Sequence, residues 1–113
     1  MNIQIFGTTK CFDTKKAQRY FKERKVSFQF IDLKEKSMSK GEFNSVKQAL
    51  GGYEPMINKN AKDTEALTLL SYLAEEDRED KLFENQQLLK TPIVRNGKKA
   101  TAGYEPDVWK NWE

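Results

Sequence analysis

The chain has 113 residues, 37% of them hydrophobic, with 20 Lys and Arg against 17 Asp and Glu, which suits one folded domain over residues 1–113. It has no histidine and a single cysteine; this excludes His-held zinc, Ser-His-Asp catalysis, an internal disulfide and a Cys-rich metal site. A net charge of +3 is too mild and too interspersed to argue for direct nucleic-acid binding, and no apolar run approaches the roughly 18 residues of a membrane-spanning helix.

Residues 2–6 form a short apolar, β-branched run that stops at Gly7, and predict a buried strand. Residues 7–12 predict a loop. A helix then runs from Asp13 or Thr14, either of which can cap it, to about Lys25, with Ala17, Tyr20 and Phe21 on one face. Val26, Phe28 and Phe30 alternate along a second strand over 26–32. Strand, helix and strand in so few residues make a βαβ unit with parallel strands. Ser39 and Glu42 have capping-box spacing ahead of Phe43, Val46, Ala49 and Leu50, and Gly51-Gly52 ends that helix. Residues 53–90 carry helical period in two or three short pieces, with Glu75 to Lys81 as a solvated face. Thr91 to Arg95 predicts a strand, Asn96-Gly97 a type I′ turn, and Lys98 to Thr101 the returning strand. Glu105-Pro106-Asp107 opens a last helix with Val108, Trp109 and Trp112 as its apolar face. The pattern, βαβ followed by ββα, calls for an α/β fold: a four-stranded mixed sheet interrupted by a helical insert at about 39–90.

Cys11 falls between the first strand and the first helix, where open α/β sheets bind ligands. A helix N-terminus favours thiolate over thiol. Lys10, Lys15 and Lys16 add positive charge, and Thr14 lies one helical turn on. A buried, inert cysteine is the alternative, but the neighbours Thr8, Thr9, Lys10, Asp13 and Thr14 are polar. With no second cysteine, any covalent intermediate on Cys11 has to be resolved by an external thiol.

Taken together, Gly7 to Cys11, Thr14 to Ala17, Thr91 to Val94 and Ala102 to Tyr104 resemble the ArsC/Spx/YffB family of arsenate-reductase-like proteins. The resemblance implies a thioredoxin-like fold, with Cys11 as catalytic cysteine and Lys10, Thr14 and Lys15 stabilising its thiolate. It implies a cis bond before Pro92 and a substrate- or thiol-binding role for Thr91. Arsenate reductases of the family hold the oxyanion with three arginines. The corresponding positions here fall at Asn58 with Lys59 beside it, at Thr91 and at Tyr104, none of them arginine. Lysine is a hydrated point charge that cannot grip two oxyanion oxygens in one plane. The resemblance therefore implies a thiol oxidoreductase with weak arsenate activity. It implies no bound cofactor, with glutathione as co-substrate or a glutaredoxin-like reductant as partner. The regulator branch of the family, which binds the RNA polymerase α subunit, is the alternative, and Gly51-Gly52 falls near the glycine of that surface. The first residues lack a basic segment followed by an apolar one, so a cytoplasmic setting is expected.

Overall fold

The structure is a computed structural model and describes residues 1–112. The strands are β1 (Ile3–Gly7), β2 (Phe28–Asp32), β3 (Ile93–Asn96) and β4 (Lys99–Ala102). The helices are α1 (Phe12–Glu23), α2 (Lys40–Leu50), α3 (Thr64–Tyr72), α4 (Glu75–Glu84) and α5 (Pro106–Trp109). Short 3-10 turns occupy Glu54–Met56, Gln86–Leu88 and Lys110–Trp112.

The sheet order is β2-β1-β3-β4. β1 runs parallel to β2 and antiparallel to β3, and β3 is antiparallel to β4. This is the mixed α/β sheet expected of a thioredoxin-like fold. Alternation along β1 divides the core. Ile3 and Ile5 face α1 and α5, where Ala17, Tyr20, Phe21, Val94 and Trp109 complete one cluster. Phe6 faces the insert, where Phe43, Val46, Met56, Leu82, Leu88 and Ile93 build the other.

Three sequence expectations shift. The first helix is capped by Cys11, not by Asp13 or Thr14: Cys11 is extended (φ −78°, ψ 119°), and its carbonyl already accepts from Lys15 N at 3.2 Å. Thr14 is fully buried instead. The hairpin turns on Gly97-Lys98, because Asn96 still pairs with Lys99. Only Gly97 of those two has a positive φ, +61°, which is the type II′ pattern and not I′. Val108 is 40% exposed while Trp109 is 1% exposed, so Trp109 seats the short last helix, its indole N–H donating to Thr101 Oγ1 at 2.7 Å, and Trp112 packs against the same cluster, but Val108 does not. The Ser39–Glu42 capping box and the left-handed Gly51 end of α2 form as expected.

Candidate functional site

The loop after β1 is held by a turn in which Cys11 N donates to Thr8 O at 3.2 Å. It delivers Cys11 to the N-cap of α1. The first turn of that helix sits close against the end of β1. A Cβ at Gly7 would run into the side chain of Thr14, so glycine is what allows the approach. Thr14 Oγ1 is thereby shut away from solvent with no hydrogen-bond partner, an arrangement that costs free energy unless it serves another end.

Across from the helix, the Thr91–Pro92 bond is cis. Thr91 meets the sulfur twice: its hydroxyl donates to Cys11 Sγ at 3.1 Å, and its carbonyl lies 3.7 Å from that sulfur, within reach of the thiol proton. Partial burial pushes the Cys11 thiol up. Against it act the Thr14 hydroxyl, the Thr91 hydroxyl and the first-turn amides of Thr14 and Asp13, and together they hold the thiol below its ordinary value. The Thr14 hydroxyl acts here as a nearby dipole without a formed hydrogen bond. A thiolate is the nucleophilic form, so the local geometry suits attack on an electrophile.

The sulfur opens onto a cleft of about 620 Å³ between the sheet end and the insert. Lys10, Asn58, Asn60, Gln87 and Thr91 are among its lining residues. An isolated bridge between Ile57 and Leu89 and the bond from Asn58 N to Leu88 O, at 2.8 Å, carry this part of the insert to the segment just before Thr91. Gln86 ties the opposite wall: its Oε1 accepts from Met38 N at 2.7 Å and its Nε2 donates to Met38 O at 3.0 Å, both buried. The polar lining residues Lys34, Ser37, Gln86 and Gln87 are not legible in the sequence as neighbours of Cys11, since long-range bonds, Leu33 N to Gly7 O at 2.9 Å and Gln86 to Met38, bring them there.

Of the residues singled out from the sequence, Cys11, Lys10, Thr91 and Asn58 gather at the cleft, and Thr14 lies beneath the sulfur. Pro92 is buried behind Thr91 and fixes it through the cis bond. Lys59, Tyr104 and Lys15 do not join them. Lys59 falls between Asn58 and Asn60 just past the extended Ile57, and it lines separate hollows with Glu54 and Ile57. Tyr104 follows Gly103, whose φ of +92° turns the chain away; its ring stands edge-on to Trp109 at 5.5 Å, beside Lys16. Lys15 is exposed on α1. No group of three or more acidic or cysteine side chains that could hold a metal occurs among the described residues, and no described helix is long and apolar enough to cross a membrane.

A family model described as the ArsC family matches residues 6–112. Over 109 residues the chain is 25% identical to the global transcriptional regulator Spx 2 of Oceanobacillus iheyensis, covering 95% of this chain and 80% of that protein. Its fold superposes on an ArsC family related protein from Bacteroides fragilis with a TM-score of 0.86 at 19% identity, covering 100% and 98% of the two chains. It superposes on an arsenate reductase from Vibrio cholerae with a TM-score of 0.81 at 23% identity, covering 98% and 97%.

Proposed function

The chain belongs to the ArsC family, and we propose that within it the protein works as a single-cysteine thiol oxidoreductase with Cys11 as nucleophile. The observation that carries this reading is the Thr91 hydroxyl donating to Cys11 Sγ at 3.1 Å, at the N-cap of α1 and on the wall of an open cleft. Cys11 thiolate attacks one sulfur of a disulfide, forms a mixed disulfide and releases the other half as thiolate. An external thiolate, glutathione or a glutaredoxin-like protein, then attacks the outer sulfur. Cys11 thiolate leaves, and the new disulfide carries the electrons' deficit away. Asn58 and Thr91 stand where an oxyanion reductase would need guanidinium groups, and each lost charge-assisted contact costs about 1.5–3 kcal/mol. Arsenate turnover is accordingly slow. A cytoplasmic setting, where thiols stay reduced, fits a working lone cysteine.

The test is exposure to oxidised glutathione followed by mass measurement. The expected product is one glutathione on Cys11, removed by glutaredoxin and absent in Cys11→Ser. No adduct on the folded protein, or arsenate turnover equal to that of arginine-bearing relatives under the same thiol supply, overturns the reading.

The likeness to Spx 2 supports a second reading, a regulator that binds the RNA polymerase α subunit. The left-handed Gly51-Gly52 end of α2 leaves room for such a contact, since a Cβ on Gly52 meets nothing within 4 Å. Co-purification of the α subunit, lost in Gly52→Arg but kept in Gly52→Ala, which carries the same backbone strain at φ +144°, would favour the regulator; absence of the α subunit under conditions that retain a known binder would remove it.

A further inference from the structure

The thiol chemistry uses the N-terminal end of α1, and the exposed face of the same helix that begins beside the sulfur is left with features that the chemistry does not use. Phe12, the residue after the nucleophile, is 75% exposed and belongs to neither core cluster. Lys15, Lys16 and Arg19 follow it at i+3, i+4 and i+7, so all four share one face. None of the three cations is in an ion pair among the described residues. The face leads into a hollow of about 440 Å³ whose walls include Lys16, Arg19, Tyr20 and Tyr104. There Lys16 lies 5.3 Å from the Tyr104 ring centroid and Arg24 lies 3.7 Å from that of Tyr20. Aromatic floors hold these cations in place, and Glu23 is the one acid lining the hollow.

We propose that this face of α1, from Phe12 to the hollow beside Tyr104, is the docking surface for an acidic protein that carries the resolving cysteine. The proposal rests on the disulfide-exchange reading above. From Phe12 to Arg19 the face extends about 10 Å along the helix, beyond the reach of a small thiol seated in the cleft. Unpaired cations of one sign steer a partner of the opposite sign, and an exposed aromatic at the end of the patch offers it an anchor. The patch starts one residue from a sulfur whose chemistry requires a second sulfur, which favours a protein over a nucleic acid. On docking, the partner's thiolate attacks the outer sulfur of the mixed disulfide. Cys11 leaves as thiolate, and the partner keeps the displaced group as a new disulfide, so no further oxidant or reductant enters.

The test uses the full chain with glutathione loaded on Cys11, and follows loss of the adduct with two reductants: a reduced acidic thioredoxin and 2-mercaptoethanol. The variant Arg19→Glu should slow thioredoxin several-fold at low salt, with the gap closing near about 0.5 M salt. Phe12→Ala should slow thioredoxin several-fold at every salt concentration. Neither change should alter the 2-mercaptoethanol rate. Equal thioredoxin rates in wild type and variants overturn the docking surface while leaving the chemistry of Cys11 standing. So does displacement of thioredoxin by an equimolar thymidine oligonucleotide, which would assign the face to nucleic acid. No release by either reductant overturns the disulfide-exchange reading, and the docking surface with it.

Discussion

On one side of the sheet, α1 and α5 enclose a cluster rich in rings: Tyr20, Phe21 and Trp109 meet with centroids 5.0 to 5.2 Å apart. On the other side, the insert contributes mainly Leu, Met and Val around Phe43. The two materials have different duties. Ring packing with one buried indole hydrogen bond fixes the helix whose N-cap carries the sulfur. The aliphatic side holds a cleft wall, and the shape of that wall is closed by hydrogen bonds between distant segments, Asn58 with Leu88 and Gln86 with Met38. One side therefore governs how reactive the thiol is. The other governs what reaches it.

The comparison can be broken by substitution. Cys11→Ser should abolish disulfide exchange altogether and leave the fold intact, because Cys11 is only partly buried at a loop–helix junction; circular dichroism and an exchange assay check both halves. Trp109→Ala should cost about 3–5 kcal/mol by denaturant titration and also move the thiol ionisation, since α1 loses its main support. Leu82→Ala, in the insert, should cost about 2–5 kcal/mol with the thiol ionisation unchanged. If the two substitutions shift the thiol alike, the division of duties is wrong.

Smaller effects sharpen it. Gly7→Ala should destabilise by about 1–3 kcal/mol, because the added methyl meets the Thr14 side chain. Thr91→Val removes the donor to Cys11 Sγ; iodoacetamide reactivity against pH should show the midpoint rising, with reaction near pH 6 slowed several-fold. The smallest effect is on stability. The folded thiol ionises below its ordinary value, so the thiolate's contribution is fully present above the unfolded-state pKa. It is lost as pH falls through the lower, folded one. The stability of wild type relative to Cys11→Ser should decline as pH is lowered through that window, and a flat difference would contradict the thiol shift.

The sheet was legible because its apolar runs are bounded by Gly7, Gly97 and Gly103, and because one face of α1 repeats at helical spacing. The capping box of α2 was legible for the same local reason. Other features depended on tertiary contact. Asp13 and Thr14 are better caps than cysteine by preference, yet burying Thr14 against Gly7 moves the cap back to Cys11. Asn58 and Lys59 are indistinguishable in sequence; only the bridge between Ile57 and Leu89 decides which lines the cleft. The resemblance gives Thr91 a substrate- or thiol-binding role, but only the fold shows its hydroxyl meeting the sulfur of Cys11 itself. Tyr104 aligned with an oxyanion-holding position but was drawn to Trp109.

The side-chain amide of Gln86 has one further consequence. It binds both the N–H and the C=O of Met38, a residue outside any strand or helix that is 1% exposed. An irregular stretch ordinarily exchanges its amide hydrogens quickly. Here the Met38 amide can exchange only when this clasp in the cleft wall lets go. In deuterated water that single hydrogen becomes a clock for the opening of that wall, readable with no substrate and no label attached.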